Sequence, residues 1–129
     1  MSVKTKILIV DDSEEILSAV RMFLEMKGFE VCSLVSYSLF KNSLAYFKPH
    51  LILLDIMLGS EPNGRVICKM TKSDPAFQNI PIVLMSSDPD RLINFNECHA
   101  DDVIEKPFNI KALEEKITSA IKSKSIAVA

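Results

Sequence analysis

Short aliphatic runs alternate along the chain with stretches whose apolar residues recur every three or four positions. Ile7–Val10, Glu30–Val35, Leu51–Leu54, Ile80–Met85 and Val103–Ile104 read as strands. Several of these runs are apolar throughout, as expected of strands covered on both faces. Ile16, Leu17, Val20, Phe23 and Leu24 share one helical face, and Gly28 is a credible stop. Leu39, Phe40, Leu44 and Phe47 mark a second helix over about 38–47, which Pro49 closes. Val66, Ile67 and Met70 pattern a weaker one over about 65–73, ended by Asp74-Pro75. Asp88-Pro89-Asp90 is a helix start, with a capping carboxylate, a first-turn proline and an acid on the positive dipole end. The helix it opens (Leu92, Ile93, Phe95) is short and irregular, and is expected to be among the less stable elements. Ile110, Leu113, Ile117 and Ile121 define the last helix, and 123–129 read as a frayed tail.

Strand and helix alternating five times predict an α/β fold, a parallel sheet with helices on both faces. At 129 residues the chain reads as one domain, long enough to bury a proper core. A net charge of -2 without a dense Lys/Arg block argues against direct nucleic-acid binding. Aliphatic runs of about four or five residues fall far short of a membrane span. The N-terminus enters strand pattern at once, without a secretory-signal layout. Cys32, Cys68 and Cys98 are widely spaced and odd in number, which reads as reduced thiols filling a core in the cytoplasm. His50 and His99 are too isolated to build a zinc site with them.

Candidate chemistry lies where the strands end. The first run leads into Asp11-Asp12, the third into Asp55, the fourth into Ser86, and the fifth through Glu105 to Lys106-Pro107. Singly, each residue has an ordinary explanation: Asp11 and Asp12 as helix caps, Asp55 in a turn, Ser86 as a cap, Lys106 solvated. Together they are not coincidental, because the carboxyl ends of parallel strands converge on the crevice that binds ligands in open α/β sheets. Three carboxylates there repel one another, at about 4 kcal/mol per pair for 4 Å and an effective dielectric near 20. A cation offsets that cost, and hard carboxylate oxygens with room for waters favour Mg²⁺. Asp55, on an apolar and therefore central strand, is the best nucleophile toward a phosphoryl group. Lys106 would neutralise the added charge, Ser86 would donate to a phosphoryl oxygen, and Mg²⁺ would sit on Asp12 and Asp55.

Over about residues 4–122 the chain resembles a receiver domain of bacterial two-component response regulators. The resemblance is carried by Ile7-Leu8-Ile9-Val10-Asp11-Asp12, Leu53-Leu54-Asp55-Ile56-Met57-Leu58, Met85-Ser86-Ser87, and Asp101-Asp102 through Lys106-Pro107-Phe108, in receiver-like order and spacing. It implies a doubly wound, flavodoxin-like sheet of five strands in the order 2-1-3-4-5 with five helices. It implies a phosphoacceptor rather than an enzyme: Asp55 takes a phosphoryl group from a histidine kinase or phosphotransfer domain. Asp12 and Asp55 would ligate Mg²⁺ directly, Asp11 through water, and Met57 through its carbonyl. The Lys106-Pro107 bond is cis in this family. A stand-alone receiver without an output domain is expected, a monomer or phosphorylation-dependent dimer, signalling by altered protein binding.

Three positions depart from the family's pattern. Gly59 stands where proline is frequent, and Gly64 lies nine residues after Asp55 rather than eight, which implies one extra residue and a looser loop. Val103 replaces an aromatic that swings inward on phosphorylation. His99 stands where glycine is common. Ser87, Met57 and the 59–64 loop are where the lifetime of the phosphoryl group would be tuned. Two other readings stay open: a haloacid-dehalogenase-like phosphatase, although Met57 occupies the place of its acid, and a scaffold that merely retains the site.

Overall fold

The computed structural model describes residues 4–59 and 64–128. Strands β1 (Lys6–Val10), β2 (Glu30–Leu34), β3 (Leu51–Asp55), β4 (Ile82–Ser86) and β5 (Asp102–Glu105) form one parallel sheet in the order β2-β1-β3-β4-β5. Around it lie α1 (Glu14–Met26), α2 (Phe40–Phe47), α3 (Gly64–Lys72) and α4 (Ile110–Val128).

The period of two along each strand divides the core into two layers. Leu8, Val10, Ile52, Leu54, Ile82 and Leu84 face Phe40 and Leu44 of α2 and Cys68 of α3. Their neighbours Ile7, Ile9, Leu51, Leu53, Val83 and Met85 face Leu17, Val20 and Leu24 of α1 and Leu113 and Ile117 of α4. β3 and β4 are buried at every position, which is why their sequences carry no alternation.

Two expectations are corrected. The described residues hold four α-helices rather than five, because the segment after β4 forms two 3-10 turns, Pro89–Leu92 and Phe95–Cys98. Asp88 caps the first turn as expected, accepting from the Asp90 N–H at 3.0 Å. Asn94 then adopts a left-handed conformation (φ 57, ψ 36), which stops helix propagation; asparagine tolerates that conformation better than most residues. The last helix runs on through Val128 rather than fraying from 123. No glycine or proline interrupts it, and the Lys124 ammonium lies 3.4 Å from Asp101 Oδ1.

Candidate functional site

Adjacent β1 and β3 send their chains to opposite faces, since α1 and α3 pack on different layers. This is a topological switch point, where a crevice opens beyond the strand ends. Parallel register brings Val10 beside Leu54, Asp55 beside Met85, and Ser86 beside Glu105. The next backbone bonds hold the exits in place: Asp11 N–H to Leu34 O at 3.0 Å, and Lys106 N–H to Ser86 O at 2.8 Å.

The side chains then converge. Lys106 Nζ donates to Asp11 Oδ2 at 2.5 Å and to Asp55 Oδ2 at 2.7 Å. The other oxygen of each carboxylate accepts a backbone N–H, Asp11 Oδ1 from Ser13 at 2.9 Å and Asp55 Oδ1 from Met57 at 3.0 Å. Asp12 Oδ2 accepts the Gly59 N–H at 2.8 Å and ties the β1 exit to the β3 exit. Ser86 Oγ accepts the Asp88 N–H at 3.0 Å. A cleft of about 290 Å³ opens over Asp12, Asp55, Met57, Ser86, Ser87, Asp88, Arg91 and Lys106.

Burial sets the electrostatics. Asp11 and Asp55 are buried while Asp12 is exposed. Desolvation raises the Asp55 carboxyl pKa; the Lys106 ammonium lowers it only in part, and Asp11 adds repulsion. Burial also disfavours the Lys106 charge, but hydrogen bonds to Asp11 and Asp55 reverse the balance and raise its pKa. Burial therefore sets the direction for Asp55, and the two carboxylate partners set it for Lys106. Oxygens of Asp11, Asp12 and Asp55 lie within 4.8 Å of one another. Three carboxylates against one ammonium leave two negative charges, and the donors are hard oxygens beside an open cleft. This set fits Mg²⁺ in both charge and chemistry.

Comparisons with known proteins place the fold in a family. The sequence matches the profile of the response regulator receiver domain over residues 7–118. The chain belongs to that family. It is 38% identical over 119 residues to the nisin biosynthesis regulatory protein NisR of Lactococcus lactis, covering 91% of this chain and 50% of that protein. It is 32% identical over 119 residues to the transcriptional regulatory protein GltR of Pseudomonas aeruginosa, covering 90% of this chain and 48% of that one. The receiver thus spans about half the length of these relatives. Among solved structures, the signal receiver domain of a histidine kinase from Syntrophus aciditrophicus superposes with a TM-score of 0.81 at 27% identity, covering 92% and 91% of the two chains. A CheY-like receiver domain protein from Methanospirillum hungatei, at 23% identity, shares the fold with a TM-score of 0.86, covering 97% and 99%.

Of the remaining predicted positions, Ser87 and Met57 line this cleft, whereas Val103 and His99 do not. The Lys106–Pro107 bond is cis, Ser87 lines the cleft rim, and Met57 lies beside Asp55 with its N–H on that carboxylate. Val103 is half-buried against the α2–α3 layer, and His99 takes a left-handed conformation (φ 67) at the position where glycine is common. Residues 60–63 lie outside the described residues, so the looser loop expected there is described only at its ends. The downstream end is fixed: Gly64 N–H donates to Ile56 O at 3.0 Å, and a Cβ at Gly64 would meet Ile56 Cα at 2.4 Å.

Ser13, not either aspartate, caps α1, accepting from Ile16 N–H at 3.3 Å, so Asp11 and Asp12 are free for the crevice. A serine three residues after a strand end is a readable capping signal that the acidic pair obscured. Three other residues had no such signal. Tyr37 donates its hydroxyl to Asp55 O at 2.7 Å, Arg91 lines the cleft, and Arg65 binds backbone carbonyls across from α3. Each is linked to the site through a contact 18 or more residues away in sequence or through a 3-10 turn.

Proposed function

We propose that this receiver accepts a phosphoryl group on Asp55 from a histidine kinase or phosphotransfer protein, with Mg²⁺, and signals by altered protein binding. The observation that carries this reading is the Lys106 ammonium, 2.7 Å from Asp55 and 2.5 Å from Asp11 at the mouth of the cleft. An ammonium held there balances charge arriving on Asp55, and a buried carboxylate facing an open cleft is exposed to a donor but shielded from bulk solvent.

In the transfer, a carboxylate oxygen of Asp55 forms a bond to phosphorus as the donor's P–N bond breaks, and that electron pair leaves with the imidazole. Asp12, Asp55 and the Met57 carbonyl would hold Mg²⁺, with Asp11 acting through water, and the ion would supply charge neutralisation for the phosphoryl oxygens. Asp55 is kept in line by the Met57 N–H on its other oxygen. Lys106 stays charged throughout and is free to follow the phosphoryl group. Ser86, with Oγ accepting from Asp88 N–H, retains its proton to donate to the product. The added charge, roughly -1.5 to -2 if an acyl phosphate resembles other phosphoryl groups, shifts a pre-existing equilibrium of the segment after β4. With Val103 in place of an aromatic, that shift is read through Ser86 and the 3-10 turns.

No helix among the described residues is long and apolar enough to cross a membrane. We place the receiver's partners in the cytoplasm on the cysteine reading above. The dehalogenase-like alternative loses its support, since Met57 stands where that chemistry needs an acid. Incubation with phosphoramidate and Mg²⁺ tests the proposal: mass spectrometry is expected to show one added phosphoryl group on the wild type and none on Asp55→Asn. Equal labelling of the variant would refute the assignment of Asp55.

A further inference from the structure

The segment between β4 and β5 gives up most of its helical bonds by forming two 3-10 turns around Asn94. Its carbonyls then need donors from elsewhere. Arg65, in the first turn of α3, supplies them. Its Nη1 donates to Arg91 O at 3.2 Å and Ile93 O at 2.9 Å, and its Nη2 donates to Asn94 O at 2.7 Å. In a continuous helix these carbonyls would accept from the N–H groups of Phe95, Glu97 and Cys98. One guanidinium fork therefore takes the place of the helical donors on Arg91 O and Ile93 O and adds a bond to Asn94 O, which also accepts the Glu97 N–H at 3.0 Å; its planar, multi-donor geometry suits this and an ammonium cannot match it.

Where Arg65 stands matters as much as what it binds. Its neighbour Gly64 abuts the backbone of Asp55 and Ile56, so the fork is rooted at the end of β3. The far end of the strut holds Arg91, which with Ser87 and Asp88 forms one wall of the cleft. That wall is also tied to Ser86 through the Asp88 N–H. Turning the Ser86 hydroxyl toward a group on Asp55 would have to break this bond or carry the wall with it.

We infer that Arg65 is a positioning residue of the phosphoacceptor site: its fork on the carbonyls of Arg91, Ile93 and Asn94 holds the Asp88–Arg91 wall in its resting place. It thereby sets how readily Ser86 turns toward Asp55. The inference rests on the function proposed above. In this receiver the strut occupies the part of the response that a swinging aromatic would otherwise take.

The test titrates beryllofluoride, a phosphoryl mimic, into the full chain with Mg²⁺, read by amide NMR, for wild type, Arg65→Ala, Arg65→Lys and Glu97→Gln. Arg65→Ala is expected to lower the half-saturating beryllofluoride concentration at least about fivefold, the lower end of typical coupling between sites. Arg65→Lys, which keeps the charge and reaches fewer carbonyls, falls in between and serves if the alanine variant does not fold. Mg²⁺ affinity without beryllofluoride stays unchanged, and amides of 88–98 exchange faster. Glu97→Gln removes an exposed contact of 3.9 Å and stays within about twofold of wild type. Faster exchange with an unchanged or raised half-saturation in both Arg65 variants would reduce Arg65 to a structural tie and overturn the inference. A wild type silent to beryllofluoride would overturn the phosphoacceptor reading itself, and the coupling with it.

Discussion

Gly64→Ala is the most direct perturbation of the link between the phosphoacceptor strand and α3. A Cβ there would lie 2.4 Å from Ile56 Cα and 2.5 Å from Asp55 O, both backbone atoms that cannot rotate away. Real Cβ contacts essentially never fall below 3.0 Å, so the β3 exit or the α3 start must move by the missing 0.6 Å at least. Overpacking of this kind costs about 1–3 kcal/mol, and rigid backbone on the receiving side places it at the upper end. Alanine's better helix propensity returns at most about 1 kcal/mol. A net loss of about 2 kcal/mol lowers Tm by roughly 6–10 °C for a chain of this size. The same movement displaces the Asp55 carbonyl and the Ile56–Gly64 hydrogen bond, so beryllofluoride binding weakens as well. Gly59→Ala is the natural companion: a Cβ there meets nothing within 4 Å, and only its φ of +62 is strained, at about 1–2 kcal/mol. Thermal melts by circular dichroism with parallel beryllofluoride titrations check both. Gly64→Ala melting within a degree or two of wild type, with unchanged binding, would refute the reasoning.

Because burial raises the Asp55 pKa, the native carboxyl binds protons more tightly than the unfolded one, and its contribution to stability falls as pH rises from 3.8 through the raised native value. In EDTA at neutral pH, Asp55→Asn should therefore melt above wild type, with the gap closing as pH drops toward 3.8; a variant that melts lower at pH 7 contradicts this. Lys106→Ala leaves Asp11 and Asp55 facing each other without their ammonium, and breaking such a buried pair costs about 3–5 kcal/mol. Mg²⁺ should raise the melting temperature of that variant more than that of wild type, while its beryllofluoride response is largely lost; weakened Mg²⁺ binding with an intact response would exclude this role for Lys106. Burial pushes the Cys68 thiol pKa far up and Cys98 is buried too, whereas Cys32 is half-buried. Alkylation mapped by mass spectrometry should modify Cys32 first and Cys68 only on unfolding, and early labelling of Cys68 would show the α3 layer to be open.

The sheet and the phosphorylation set were legible in the residues because both depend on local facts that parallel topology makes coherent. A strand buried on both faces must be apolar throughout, so Ile7–Val10, Leu51–Leu54 and Ile82–Met85 announce themselves, and the first polar residue after each marks its carboxyl end. Once parallel pairing aligns those ends, Asp11, Asp12, Asp55, Ser86 and Lys106 are close to one another with no further information. What the residues could not show is which side chain satisfies a given backbone group. The Asp88-Pro89 start signal is real and its capping bond forms, yet the helix fails at Asn94, and the failure is stable because Arg65, on another element, holds the carbonyls it exposes. Likewise the spacing of Gly64 reads as a longer, looser loop, while its contact with Ile56 closes the downstream end against β3. Apolar periodicity and strand-end chemistry are properties of neighbours in sequence, so the chain alone determined the sheet and the residues gathered at its edge. The resting position of the wall beside them depends on hydrogen bonds between elements 26 to 29 residues apart, which exist only after the sheet has brought α3 and that segment together.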